Sequence, residues 1–150
     1  MKLSRHIAVS SAISALIFAA TRSVAVSVST LLTGIFIDVD HVFEYFREYG
    51  FKPDVQHFFH TFTDTQYEKL YLFMHAWEWM VLLFTAAALT HWNEYAIGIA
   101  VGYSQHLVLD QIFNRCMPGT YSVIYRIHKG WKASLLFKHA KGREGEAPGI

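Results

Sequence analysis

Asp38-Val39-Asp40-His41 places two carboxylates and an imidazole within four residues, directly after an apolar run. His75-x-x-Glu78 and His106-x-x-x-Asp110 are spaced three and four apart, so on a helix each pair shares a face. Carboxylates inside apolar segments are costly unless paired or bound to a cation. The Lys/Arg nearest in sequence to Glu78 is Lys69, more than two helical turns away, and no basic residue on these segments serves both acids. A divalent cation neutralises several carboxylates at once and accepts imidazoles. Mixed His and carboxylate donors suit zinc, manganese or iron. The candidate metal ligands are Asp38, Asp40, His41, His75, His106 and Asp110. Glu78 is a ligand or the general base, because a carboxylate beside metal-bound water can take its proton.

Each of these motifs also has an ordinary reading. An H-x-x-E or H-x-x-x-D pair can be hydrogen-bonded and no more, and D-x-D-H can be a charged helix end facing water. His6 either caps a helix or joins the site. His57-x-x-His60, among Phe58, Phe59 and Phe62, reads as part of an interfacial helix. His91 beside Trp92 reads as a membrane-interface residue, and His128 and His139 belong to a basic tail.

Four apolar segments must position these residues. Two short runs, Ile7–Ala20 and Val24–Ile37, are separated by Thr21-Arg22-Ser23 and read as a hairpin, because Arg22 is costly inside lipid and tolerable at a boundary. The third runs from about Tyr71 to Trp92 and the fourth from Tyr95 to Phe113, both of spanning length. Between the second and third lies a polar stretch, His41 to Lys69, holding Gly50 and Pro53. The segment from Tyr121 to Phe137 interleaves Arg126, Lys129 and Lys132 with aromatics. It is expected either to lie on an anionic membrane surface or to pack on the bundle as an amphipathic helix. Residues 1–139 are expected to form one domain and 140–150 a disordered tail.

Composition agrees. Of 150 residues, 53% are hydrophobic and only 17% charged, short of the polar surface of an average soluble domain. One cysteine, Cys116, excludes a disulfide scaffold. A net charge of +1 gives no general attraction to nucleic acid. The expected fold is all-α, a four-segment helical membrane bundle with an amphipathic basic C-terminal segment. A cleaved signal peptide over the first run is the alternative.

Lys2, Arg5 and the basic C-terminal stretch place both termini in the cytoplasm, and four segments satisfy this. His6, Asp38, Asp40, His41, His75, Glu78, His106 and Asp110 then all fall at one end of the bundle, in the cytoplasmic leaflet. Scattered polar residues would not do this.

The N-terminal His before a greasy hairpin, the D-x-D-H of Asp38, Asp40 and His41, and the late H-x-x-x-D of His106 and Asp110 resemble the membrane-bound metal-dependent hydrolase family. That family includes the inner-membrane hydrolases associated with LexA binding and looks like a distant all-helical relative of zinc-dependent phospholipase C. The resemblance covers roughly Arg5 to Asn114. His75 stands where the family has the second His of an H-x-x-x-T-H pattern. The Thr and the earlier His are missing, and Ile37 replaces the Pro before D-x-D-H. Glu78 or His60 then stands in for the missing His. The resemblance implies an inner-membrane hydrolase.

The expected function is metal-assisted hydrolysis of an ester or phosphoester, with an amphiphilic substrate such as a lipid phosphoester reaching an open cavity lined by Trp77 or Tyr103. No serine or cysteine nucleophile motif is present, and Gly34, Gly98 and Gly102 suit helix packing. The competing readings are a non-catalytic membrane protein with a structural metal or polar network, and a diiron carboxylate bundle, which needs Glu-x-x-His motifs this chain lacks.

Overall fold

The computed structural model describes residues 3–51, 53–64 and 67–138, and is all-helical over them apart from two isolated bridges, Lys69 with Lys132 and Cys116 with Phe137. The expected tail at 140–150 lies outside the described residues. The helices are α1 (Leu3–Thr21), α2 (Val24–Phe36), α3 (Asp40–Tyr49), α4 (Val55–Asp64), α5 (Trp77–Leu89), α6 (Glu94–Phe113), α7 (Val123–His128) and α8 (Ala133–Leu136). A 3₁₀ turn, Ile37–Val39, joins α2 to α3 without a break.

The first two helices form the hairpin that Arg22 foretells. Arg22 takes a left-handed φ of 56°, and the Ser23 side chain caps α2 by accepting from the Val26 N–H at 3.2 Å. Helices α1, α2 and α6 then pack inside-out for a water-soluble protein. The buried stripe of α1 is His6, Ser10 and Ser14, each four residues apart, while Leu16 and Ile7 face outward. The buried stripe of α6 includes Gly98, Gly102, His106 and Asp110, again four apart. Side chains four apart stack on one helix face, so the row that packs against α2 is also the row that carries chemistry.

Gly98 and Gly102 permit the close approach. A Cβ at Gly102 would collide with the Thr30 carbonyl, and one at Gly98 with Ser29 Oγ and the Val26 carbonyl. Small residues bring backbones together, and hydroxyls then bridge them. Thr30 Oγ1 donates to the Gly98 carbonyl at 3.2 Å, Ser14 Oγ to the Ser27 carbonyl at 2.7 Å, and Gln105 Nε2 to Ser10 Oγ at 2.6 Å.

Two helices are long and apolar enough to cross a membrane, Leu3–Thr21 and the continuous Val24–Tyr49; Trp77–Leu89 is apolar but shorter. The third apolar segment is therefore not one helix from Tyr71 to Trp92. Residues 70–76 are a non-helical loop, because polar groups distant in sequence claim its backbone. Glu44 Oε1 accepts the N–H groups of Tyr71 and Leu72, both at 3.0 Å. Arg126 donates to the carbonyls of Tyr71, Leu72 and His75. Leu72 is held at a left-handed φ of 43°, a conformation that costs energy outside glycine and needs such anchoring.

The C-terminal segment packs on the bundle. Tyr121, Ala133 and Leu136 are buried, and Phe137 joins both the cluster around Ile37, Tyr103 and Leu107 and the one around Tyr67, Leu70 and Leu72. Of the two placements expected for this segment, Arg126 takes the one packed on the bundle. It is 1% exposed and faces inward.

Candidate metal centre

Five segments converge at one end of the bundle. The start of α1 brings His6, the 3₁₀ turn brings Asp38, the first turn of α3 brings Asp40 and His41, and α6 brings His106 and Asp110. The anchored loop brings His75. Tightening to three residues per turn at Ile37–Val39 eclipses residues three apart, which sets Asp38 and His41 on one side. His6, His75 and His106 are fully buried, and Asp110 nearly so.

Hydrogen-bond acceptors fix the tautomers. Asp40 Oδ1 lies 2.9 Å from His41 Nδ1, Asp40 Oδ2 lies 3.0 Å from His75 Nδ1, and the Gly34 carbonyl oxygen lies 2.8 Å from His106 Nδ1. A carboxylate or carbonyl can only accept, so each Nδ1 carries the proton and each Nε2 presents a lone pair. All three Nε2 atoms face one oxygen, Asp38 Oδ1, at 3.5 Å from His41, 3.5 Å from His75 and 3.4 Å from His106. Lone pairs that converge on a carboxylate repel unless a positive charge stands between them.

The spacing fits a cation. His75 Nε2 and His106 Nε2 are 3.1 Å apart, and Asp110 Oδ2 lies 3.4 Å from the first and 3.7 Å from the second. Four tetrahedral donors bonded at about 2.0–2.2 Å stand roughly 3.3–3.6 Å from one another. Five of the six separations among Asp38, His75, His106 and Asp110, at 3.1–3.7 Å, lie close to that range. Among the described residues, His6, Asp38, His106 and Asp110 offer ligand atoms within 4.8 Å of one another, and so do Asp38, His41 and His75. A buried His/Asp group able to hold a metal ion is therefore present.

With no cation a proton takes its place. Burial alone would lower His75, but the charge of Asp40 and the bonds to Asp110 and Asp38 outweigh it and hold the imidazole well above its usual value.

The candidate ligands named from sequence divide. Asp38, His41, His75, His106 and Asp110 come together, and His6 joins them with Nε2 3.0 Å from Asp110 Oδ1. Asp40 is a neighbour rather than a donor. Both its oxygens accept hydrogen bonds, Oδ2 also from the Met74 N–H at 3.0 Å, so it orients the Nε2 atoms of His41 and His75 towards the centre. Glu78 is in neither group. His75 precedes α5, so the two do not share a helix face, and Glu78 Oε1 accepts from Ser122 Oγ at 2.7 Å and the Ile124 N–H at 3.3 Å, which docks α7. His60 is exposed on α4 and also outside both groups, while His57 Nδ1 meets the Tyr45 hydroxyl at 2.9 Å.

Three residues of the site's support were not singled out as such in the sequence. Glu44 and Arg126 clamp the His75 loop, and the Tyr103 hydroxyl accepts from the Ala76 N–H at 3.1 Å and donates to the Met74 carbonyl at 2.7 Å. Tyr103 was expected to line a cavity and instead braces this loop. A groove of about 530 Å³ runs along α5, lined by Met80, Val81, Phe84, Thr85, Ala88 and Leu89, none of them in the cluster. The centre reaches the surface at Asp38 and His41, whose side chains are 16% and 13% exposed.

No family model matches the chain, and neither a curated protein nor a solved structure does.

Proposed function

We propose that the chain is a membrane-embedded metal-dependent hydrolase that cleaves an ester or phosphoester, carried by a lipid, at the cytoplasmic leaflet. One observation carries the reading: three imidazole Nε2 atoms converge on Asp38 Oδ1 at 3.4–3.5 Å, each with its Nδ1 already committed. A bound divalent cation, zinc or alternatively manganese or iron, would polarise the scissile group and lower the pKa of a bound water. The chain's own part is to hold the donors, with Asp40 orienting His41 and His75 and the Gly34 carbonyl orienting His106. The partly exposed edge at Asp38 and His41 is where water and substrate would enter.

The membrane setting rests on inverted packing. Large apolar side chains of α1, α2, α5 and α6 face outward while serines, glycines and histidines face inward. In this reading the four helices form the membrane bundle of an inner-membrane protein, with both termini cytoplasmic. Helix α1 is retained rather than cleaved, because it supplies His6 to the centre. The resemblance through D-x-D-H and H-x-x-x-D supports the same class of chemistry.

The second reading is a structural metal site. It is favoured by the buried set His6, Asp38, His106 and Asp110, which offers one ion four donors from the protein alone. Metal analysis of detergent-purified protein, with turnover on a panel of lipid phosphoesters, separates the two. Bound metal and metal-dependent hydrolysis, both lost in Asp38→Asn and His106→Ala, support the enzyme. Bound metal and a metal-dependent melting temperature with no hydrolysis support the structural site.

A further inference from the structure

We propose that the centre takes two divalent cations bridged by Asp38, an inner one among His6, His106 and Asp110 and an outer one between His41 and His75. The proposal deepens the metal-dependent reading above and rests on it.

The imidazoles are arranged as a row. His41 stacks on His75 with ring centroids 4.7 Å apart, His75 meets His106 edge-on at 5.1 Å, and His106 stacks on His6 at 4.0 Å. His41 and His6 therefore sit at opposite ends. Among the described residues no set of mutually close ligand atoms contains both, and the two sets that form share Asp38 alone. A cation with bonds of about 2.0–2.2 Å reaches donors at one end of such a row and not at the other.

The two positions differ in character. The inner set offers two imidazoles and two carboxylates, enough to fill four coordination places, and its His6, His106 and Asp110 are no more than 1% exposed. His6 Nδ1 is buried there without a hydrogen-bond partner, and a ring shift that turned it to a ligand would satisfy it. The outer set offers two imidazoles and the shared carboxylate, and two of its three side chains reach the surface. Three protein ligands leave a coordination place for water or a substrate oxygen. Cations sharing one carboxylate lie close enough to hold the attacking and leaving oxygens of a single displacement. The outer imidazoles are also the two that Asp40 orients, so one carboxylate positions both nitrogen donors of the open cation.

Manganese titration of the full chain in detergent, read by bound-metal analysis and electron paramagnetic resonance, tests this. Two bound Mn²⁺ per chain with a spin-coupled spectrum are expected. His41→Gln should retain one Mn²⁺ and lose the coupling, and Asp38→Asn should lose both ions, with helical content by circular dichroism confirming that each variant folds. A wild type that holds one uncoupled Mn²⁺, retained in His41→Gln, overturns the second cation and leaves the metal-dependent reading standing. A wild type that binds no divalent metal overturns both.

Discussion

His106 Nδ1 donates to the carbonyl oxygen of Gly34 at 2.8 Å, across the contact between α2 and α6. The missing side chain at Gly34 allows it. A Cβ there would stand 2.5 Å from Ser10 Oγ on α1 and would collide with the Gln105 amide on α6. One position thus sets the spacing of three helices and decides which nitrogen of His106 faces the centre. Gly34→Ala is expected to separate them at a cost of about 1–3 kcal/mol. Melting temperature and metal content should fall together. Unchanged metal content would mean that this contact does not govern the centre.

Asp38 and Asp40 are two residues apart and are expected to behave differently. Asp38→Asn removes the oxygen that three imidazoles face and should abolish metal binding at accessible concentrations. Asp40→Asn keeps every proposed ligand but has one acceptor oxygen where the carboxylate takes three N–H groups on two. Loss of such an orienting carboxylate lowers metal affinity about 10–100-fold. Isothermal titration of both variants with Zn²⁺ checks the order. Equal losses would place Asp40 in the ligand set.

Much of this was legible in the sequence, because it depended on short-range spacing. Arg22 between two apolar runs marks a hairpin, and Gly98 and Gly102 mark close packing. H-x-x-x-D puts His106 and Asp110 on one face whatever the tertiary structure. The His75 loop was hidden. Residues 70–76 contain no Gly or Pro and run on into an apolar helix, so nothing local marks a break. The break is imposed by Glu44 and Arg126, which stand 28 and 54 residues from Leu72. The inward turn of Arg126 was hidden for a similar reason. A basic residue among aromatics reads alike whether it lies on lipid or reaches into three carbonyls.

Glu78 and Arg126 follow from that clamp. Glu78→Gln should leave metal content unchanged, because the side chain holds Ser122 and the start of α7 rather than the centre. Arg126→Met strands the carbonyls of Tyr71, Leu72 and His75, and hydrogen bonds to a charged group contribute about 1.5–3 kcal/mol each. It should destabilise the protein by roughly 3 kcal/mol or more and lower metal affinity through His75, although Arg126 touches no metal. Thermal melts with metal analysis test both. Loss of metal in Glu78→Gln with an unchanged melt would return Glu78 to the ligand set.

The His75 imidazole makes cation binding and pH work against each other. In the cation-free chain its pKa is held well above the usual 6.5 by the carboxylates around it. Its proton therefore contributes stability in full below about 6.5 and loses that contribution as pH rises through the raised folded value. A cation needs the same Nε2 without its proton, so metal binding strengthens over the same rise and releases protons. With a chelator present, the melting temperature should fall as pH increases above about 6.5. With Zn²⁺ in excess it should hold or rise, and the gap between the two curves should widen with pH. His75→Gln should remove the widening of that gap with pH. Parallel curves in the wild type would show that no cation replaces the His75 proton.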